Sequence, residues 1–221
     1  MPGPMHRETI EVDGKNPDSV VAARMRRQKE ESIKRAVVAV LVTLAVLAVV
    51  SAIACTAPTE TRPDSFPVGA NPDVTVEVGS GNVDLVVGAA GEISVTAELR
   101  NPENVEYEAS QEGDSIVVRA KTKSDGRADV TLTVPENTRF ALTTGSGKVN
   151  AVGVQASGQV QTGSGSVNLE GIRGDNVNIA TGSGDIVLTN VSGAIVANCG
   201  SGKIAVRNSS GSFALITGSG R

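Results

Sequence analysis

The stretch Thr181-Gly182-Ser183-Gly184 is one copy of a repeat that decides the fold. Gly-Ser-Gly recurs along the chain, and the first and third glycines of its copies are Gly79, Gly81, Gly145, Gly147, Gly163, Gly165, Gly182, Gly184, Gly200, Gly202, Gly218 and Gly220. From Gly145 onward, successive copies are 18, 19, 18 and 18 residues apart. A nearly constant period of this length is typical of folds built from stacked repeats.

Apolar and polar side chains alternate on both sides of each triplet. Around Gly182, the apolar set is Val177 and Ile179 before the triplet and Ile186 and Leu188 after it. Alternation with period 2 indicates a half-buried β-strand. Each unit is therefore predicted to be a strand, a glycine corner, a second strand and a second corner, because glycine accepts a positive φ at little cost. The second corners are predicted at Gly153, Gly171 or Gly174, Gly193 and Gly211.

Units of nearly constant length stack like on like, with equivalent strands about 4.8 Å apart. One unit cannot bury its apolar face alone, so stability comes from contacts between neighbours. The sequence therefore predicts an all-β domain over residues 73–221, a repeat β-solenoid (β-helix) for which a right-handed coil is expected. Aromatic residues make up only 2% of the chain, which suits a narrow core filled by Val, Ile, Leu, Ala and Thr.

Side chains at equivalent positions are expected to form polar ladders that hold the coils in register. The threonines before the triplets form one row, in which Cys199 takes the place of threonine as a small buried residue. Asp185 and Lys203 follow the triplets of neighbouring units and are predicted to form a cross-coil ion pair. Further ladders, or a ligand-binding Asn/Thr face, are expected at Asn150, Asn168 and Asn178.

The segment between the first triplet and the regular repeats is less uniform. Four further strands are predicted there, at residues 92–100, 105–110, 114–122 and 128–134. They are expected to form antiparallel hairpins that cap the first open end of the solenoid, because an uncovered coil is prone to aggregation. At the other end Arg221 directly follows the last triplet. The sequence is expected either to be incomplete there or to have its last coil covered by a partner.

The first 35 residues are predicted to be cytoplasmic. Residues 1–18 are predicted to be a disordered tail, because they include several Pro and Gly and few apolar residues. A basic helix is predicted over residues 19–35, with Asp18 as its N-cap. Its cations have two interpretations: a positive-inside signal beside a membrane span, or a patch for lipid headgroups or nucleic acid. Glu30 and Glu31 dilute the charge, which favours the first.

Residues 36–54 carry no charge and are predicted to be a transmembrane helix. A helix of this length spans about 28 Å, close to the roughly 30 Å hydrocarbon core of a bilayer. Lys34 and Arg35 directly precede it, and the next basic residue is Arg62. The positive-inside rule then places the N-terminus in the cytoplasm and the following domain outside. A cleaved signal peptide is the weaker alternative, because signal peptides have a short basic lead.

Cys55 is a candidate lipidation site on the outer side of this span. It follows Ala52-Ile53-Ala54, which resembles a degraded bacterial lipobox. The alternative is a small apolar residue at the outer interface. Residues 55–72 are rich in proline and are predicted to be an extended linker that lifts the next domain off the membrane.

Charge and residue types exclude several functions. Residues 1–35 hold 8 basic and 6 acidic side chains, a net charge of +2. Residues 56–221 hold 12 basic and 18 acidic side chains, a net charge of −6. The acidic outer domain argues against nucleic acid as a partner. His6, the single histidine, lies in the tail, so the outer domain has no Ser–His pair. Metal-ligand spacing, cofactor motifs and stacked carboxylates are lacking in the sequence, which predicts a non-enzymatic protein without metal or cofactor.

The repeated Thr-Gly-Ser-Gly-x-(Val/Ile), with strands on both sides, resembles the bacterial putative-adhesin domain, a β-strand-repeat family. The resemblance covers about residues 73–221. It implies a β-repeat fold without catalytic residues, and members of this family are often anchored to the envelope, which fits the predicted span. The irregular segment 89–135 and the missing C-terminal cap depart from a full domain of that family.

These patterns together predict a single-pass protein of a bacterial cell membrane. Its β-solenoid outside the cell is expected to have a non-enzymatic binding or structural role, with a cell-wall or other surface ligand as partner. A flat, repeated polar surface would make many weak contacts that add through multivalency. The alternative is an envelope-sensing or scaffolding protein that signals through its basic cytoplasmic helix.

Overall fold

A computed structural model describes residues 57–220, which form an all-β domain. The strands are β1 (Thr59–Pro67), β2 (Asp73–Ser80), β3 (Val83–Val87), β4 (Glu92–Arg100), β5 (Val105–Glu112), β6 (Ser115–Thr122), β7 (Arg127–Val134), β8 (Arg139–Ser146), β9 (Val149–Val152), β10 (Gly158–Ser164), β11 (Val167–Glu170), β12 (Arg173–Ser183), β13 (Ile186–Thr189), β14 (Ser192–Ser201), β15 (Ile204–Arg207) and β16 (Ser210–Ser219). A 3-10 helix, Pro102–Asn104, lies between β4 and β5.

The strands form two eight-stranded sheets. Sheet A has the order β1-β4-β7-β3-β9-β11-β13-β15, and sheet B has the order β5-β6-β2-β8-β10-β12-β14-β16. Among residues 57–220, the helical content includes nothing long and apolar enough to cross a membrane. The predicted tail, basic helix, membrane span and Cys55 lie outside the described residues.

From β8 onward the chain alternates between the two sheets, and each pair of strands forms one coil. Equivalent strands pair in parallel and in register, so that Thr144 is opposite Thr162, Thr162 opposite Thr181 and Thr181 opposite Cys199. Residues one sequence period apart therefore lie side by side. The predicted all-β repeat fold is confirmed.

A narrow core fills the space between the sheets. Val177 and Ile179 of β12 point into it and are at most 1% exposed, whereas Asn178 between them faces solvent. Ile186 and Leu188 of β13 close the core from sheet A. The buried side chains are almost all Val, Leu, Ile, Ala and Thr, which is the thin aliphatic core that the low aromatic content predicts.

The stack does not follow chain order at its N-terminal end. The coil of β2 and β3 has the coil of β6 and β7 on one side and that of β8 and β9 on the other. The prediction of antiparallel hairpins is confirmed for β5 and β6, but it does not include the second partners of β6 and β7, which pair in parallel with β2 and β3. Their apolar side chains alternate with the same period as the repeats, so they form one more coil without a Gly-Ser-Gly corner.

An antiparallel cap covers this end, as expected, but it consists of β1, β4 and β5. In it β4 pairs with β7, β1 with β4, and β5 with β6. The Tyr107 hydroxyl of β5 donates to the Asp64 carboxylate of β1 at 2.8 Å and so links the outermost strands of the two sheets. Burial and this acceptor raise the pKa of the Tyr107 phenol.

The structure differs from the prediction within residues 55–72, where an extended linker is expected. Residues Thr59–Pro67 are β1, which pairs along its whole length with β4, and Phe66 packs against the core. Pro63 and Pro67 are tolerated because an edge strand leaves one side of its backbone unpaired. The folded domain therefore begins before Asp73.

Candidate binding surface

The Thr-Gly-Ser-Gly corner joins each long strand of sheet B to a short strand of sheet A. The Thr181 hydroxyl faces the core and donates to the carbonyl oxygen of Gly165 in the preceding coil at 3.0 Å. The same bond is made at equivalent positions by Thr144, Thr162, Cys199 and Thr217. The predicted threonine row therefore does hold neighbouring coils in register.

Both glycines of the triplet lie against the backbone of the preceding coil. Gly147 has a φ of +149°, and a Cβ added to it would overlap the carbonyl oxygen of Gly81. A Cβ at Gly182 would lie 2.6 Å from the carbonyl oxygen of Gly163, although the φ of Gly182 is not positive. Both positions therefore require glycine because neighbouring coils approach each other closely there. The same approach to the preceding coil is made by Gly145, Gly165, Gly184, Gly200, Gly202, Gly218 and Gly220, and Gly79 and Gly81 meet β6 and the start of β7.

The second corner differs in part from the prediction. In the coils from β8 onward, the residue that follows each short strand of sheet A has a positive φ, and these residues are Gly153, Gly171, Asn190 and Asn208. Asparagine tolerates the left-handed conformation, so a search for glycine alone misses half of these corners. Gly174, Gly193 and Gly211 lie opposite one another further along, where the coils enter sheet B, and Gly193 and Gly211 also have a positive φ, as predicted.

Side chains that follow the triplets bind backbone N–H groups of the next coil. Asp185 Oδ1 accepts the N–H of Lys203 at 2.9 Å, and Asn82 Oδ1 accepts the N–H of Lys148 at 3.0 Å. The predicted ion pair between Asp185 and Lys203 is wrong, because within residues 57–220 the Lys203 ammonium is not among the ion-paired groups.

The asparagines of the predicted ladders do not share one face. Asn150 Nδ2 donates to Asp84 of the neighbouring coil at 2.6 Å in sheet A, and Asn168 lies beside Asn150. Asn178 is in sheet B, where its amide donates to Asn176 of its own coil at 3.1 Å. Because the threonine row points into the core, the structure does not bring these groups together as an Asn/Thr surface.

The outward side chains of sheet B form instead an exposed face on which amides lie among small and apolar residues. Its central row is Thr143, Gln161, Ala180, Asn198 and Ile216 on five successive strands. A shallow groove of about 650 Å³ runs along this row beside the first glycines of the triplets. We call this surface the amide face. Its residues are spaced by one strand separation, about 4.8 Å.

A second groove, of about 680 Å³, lies at the edge where β8, β12 and β14 begin. Arg139, Arg173 and Asp175 line it, and we call it the arginine groove. Its other polar lining residues include Asn71, Asn137, Gln155, Ser157 and Ser192. It combines cationic, anionic, amide and hydroxyl groups in one concave site.

The two arginines of this groove have different environments. Arg139 forms a bidentate pair with Asp73, with Nε–Oδ1 and Nη2–Oδ2 distances of 2.6 and 2.7 Å. This hydrogen bonding lowers the pKa of the Asp73 carboxyl and raises that of the Arg139 guanidinium. Within the described chain, Arg173 takes no part in an ion pair. Its guanidinium is therefore open to a ligand.

A β-bulge shapes the lip of the arginine groove. Between Gly174 and Val177, β12 has two residues, Asp175 and Asn176, where the neighbouring β14 has only Ala194. This is the extra residue of the single 19-residue step in the repeat. A bulge leaves its extra residue outside the strand ladder and re-aims a side chain, here that of Asp175 toward the groove. The alternation of apolar and polar residues does not predict this site, and the single 19-residue step is the one sequence signal that marks its position.

The side chains of the two grooves can bind a ligand through hydrogen bonds and charge. Within residues 57–220, three or more His, Cys, Asp or Glu side chains do not gather in a group that could hold a metal ion. Cys199 is a free, buried thiol. His6 and the lipidation candidate Cys55 lie outside these residues. The two grooves offer hydrogen-bonding groups, the unpaired Arg173 guanidinium and the Asp175 carboxylate.

Comparison with known proteins places this architecture in a family. The chain matches the Toastrack DUF4097 family model over residues 56–213, and it belongs to that family. The predicted resemblance to adhesin-like β-repeat proteins is confirmed. None of the curated proteins compared with the chain matches it.

Similar solved structures carry adhesion-related names. One is a "putative cell adhesion protein" from Clostridium sporogenes, 12% identical, with 73% of this chain and 100% of that chain covered and a TM-score of 0.44. Another is a "putative adhesin" from Bacteroides fragilis, 10% identical, with 72% and 97% covered and a TM-score of 0.25.

Proposed function

We propose that the chain is a membrane-anchored, non-enzymatic binding protein that displays its β-repeat domain outside a bacterial cell. The observation that carries this proposal is the amide face. Gln161 and Asn198 lie on it at fixed strand spacings, on a backbone held by parallel pairing. A single amide contact is weak, but an ordered array gains many contacts on a repetitive polymer with little ordering cost. The cell wall is the proposed partner.

Membrane anchoring rests on the sequence before the domain. The uncharged residues 36–54, with Lys34 and Arg35 before them, fit one span with the N-terminus inside. Lipidation of Cys55 would add a second anchor at the outer surface. Nucleic acid is not a proposed partner, because the outer domain is acidic. The adhesion-related names of the similar structures agree with the proposal.

Co-sedimentation with isolated bacterial cell walls tests wall binding. The full-length chain in detergent should pellet with walls, saturably and at both low and high salt. Replacing Gln161 and Asn198 with Ala should lower the bound fraction severalfold, because it removes two members of the amide face. Asn168→Ala, on sheet A, is the matched control and should bind like the wild type. A folded protein that stays in the supernatant would overturn the proposal.

Epitope tags test the location. A tag after Arg221 should bind antibody on intact cells, whereas a tag before Met1 should bind only after permeabilisation. The reverse pattern would contradict the proposed orientation. Deleting residues 1–30 should leave wall binding intact, and a loss of binding would favour a role for the basic helix.

A further inference from the structure

We propose that the arginine groove binds a carboxylated sugar unit of the hexuronic acid type within an envelope polysaccharide. This inference rests on the proposed function and names the chemistry of its ligand. The groove, at about 680 Å³, lies in the size range of small-molecule sites. It is an open groove with room for one sugar unit along its floor.

One guanidinium of the groove can bind one carboxylate. The Arg139 guanidinium is engaged by Asp73 in an exposed bidentate pair, so its charge is compensated within the protein. The free guanidinium is that of Arg173, and guanidinium groups bind carboxylates through two parallel hydrogen bonds. Arg173 therefore supplies the anion-binding group of the site.

The remaining polar groups fit sugar hydroxyls. Asp175 presents an acceptor-only carboxylate when ionised, which takes hydrogen bonds from hydroxyl groups and repels a dianionic phosphate. Asn137 and Ser157 line the same groove and can both donate and accept. A carboxylate surrounded by hydroxyls satisfies this set, because Arg173 can bind the carboxylate while Asp175, Asn137 and Ser157 bind the hydroxyls.

The bulge gives the site its position in the stack. A coil of 18 residues would leave no extra residue between Gly174 and Val177, and Asp175 would lose its place beside the groove. One irregular coil among regular ones thus brings the acidic group next to Arg173. The groove is a local departure from the repeat, distinct from the amide face.

Titration calorimetry of the full-length chain in detergent tests the assignment, with trigalacturonic acid as the probe. Its methyl ester is the matched control, because it keeps the hydroxyls and loses the charge. The acid should bind saturably and the ester at least about tenfold more weakly, as expected for the loss of a charge-assisted hydrogen bond. Equal binding of acid and ester, or no binding of the acid by folded protein, would overturn the proposal.

Variants locate the binding to the groove. Arg173→Ala should weaken acid binding by about tenfold or more, and Arg173→Lys should weaken it less because it keeps a point charge without the planar fork. Arg207→Ala, an exposed arginine in β15 outside the groove, should bind like the wild type. Deleting Asn176 restores an 18-residue step and should lose acid binding while the β-sheet circular dichroism spectrum persists. Wild-type affinity in Arg173→Ala would sink the assignment even if the deletion fails to fold.

Wall co-sedimentation separates this inference from the proposed function. Walls that pellet the wild type while trigalacturonic acid does not bind would leave the proposed function standing and reject the groove assignment. Failure of both assays would reject both proposals.

Discussion

A single hydroxyl explains the first residue of the repeated motif. Thr181 is only 5% exposed, at a core-facing strand position that would otherwise suit valine. Valine does occupy the equivalent place in β2, where Val78 lies opposite Thr144. In the regular coils the hydroxyl reaches the corner carbonyl of the preceding coil, and it satisfies a polar atom at the edge of the core.

Thr181→Val should lower the free energy of unfolding by about 1–2 kcal/mol, because it leaves the Gly165 carbonyl without this donor. Urea unfolding followed by circular dichroism measures the loss. Thr143→Val, on the outward side of β8, is the control and should stay within about 0.5 kcal/mol of the wild type. Equal losses in the two variants would show that the hydroxyl bond is unimportant.

Gly147→Ala should lower the free energy of unfolding by about 3 kcal/mol or more, because the new Cβ would overlap the Gly81 carbonyl at a positive φ. Gly113→Ala separates the effect of steric overlap from the effect of a positive φ. Gly113 has a φ of +60° but open space around it, so only the conformational cost of about 1 kcal/mol is expected there. Thermal unfolding that places both variants at the same midpoint would contradict this account.

At the scale of the elements, the junction between β7 and β3 depends on one carboxylate. Asp129 accepts the N–H of Asn82 in the neighbouring coil at 2.8 Å and the Arg127 Nη2 group at 2.9 Å. Burial alone would raise the pKa of Asp129, but these hydrogen bonds and the charges of Arg127 and Arg100 lower it below its usual value of 3.8. The ionised form of Asp129 therefore stabilises the fold.

This shift predicts how stability changes with pH. Because the folded pKa of Asp129 is lower than the unfolded one, its contribution is present above about pH 4 and is lost as the pH falls through the folded pKa. Urea unfolding between pH 7 and pH 2.5 should show that Asp129→Asn is less stable than the wild type at pH 7. The gap to the wild type should narrow on acidification. A gap that is constant over this range would contradict the role of the charge.

The elements also show where sequence reasoning succeeds and where it stops. The coils from β8 onward could be predicted because each strand pairs with its own copy one period away. The place of β6 and β7 could not, because they carry no corner triplet and their partners are set by tertiary packing. The arginine groove was missed because Arg139 and Arg173 begin different strands, and alternation within one strand does not reveal such a meeting.

At the scale of the whole molecule, stability is a sum over coils and their neighbours. Deleting residues 184–201, which spans 18 positions, joins Ser183 to Gly202 and recreates a Gly-Ser-Gly corner. The shortened protein should keep its β-sheet circular dichroism spectrum and unfold at a lower temperature, because one coil and its contacts are lost. Circular dichroism of the purified variant, followed during heating, measures both the β-sheet spectrum and the unfolding temperature.

A deletion of half a coil is the control for this experiment. Removing residues 184–192 would force a strand of sheet B into the place of a strand of sheet A, out of register with its neighbours. This variant should lose the cooperative transition. If it unfolds like the whole-coil variant, the coil is not the unit of stability.

The position of the β2–β3 coil has a consequence for biosynthesis and for evolution. This coil is synthesised early, yet it lies inside the stack. Strands that are synthesised later must therefore pair with it on both sides. One of its sides is covered by β6 and β7, and the antiparallel cap of β1, β4 and β5 ends the stack beyond them. The other face only repeats, so gene duplication of a single coil there would lengthen the protein without disturbing its N-terminal end. The N-terminal cap and the coils next to it would stay the same, whereas the number of C-terminal coils, and with it the length of the stack, could change by one coil at a time.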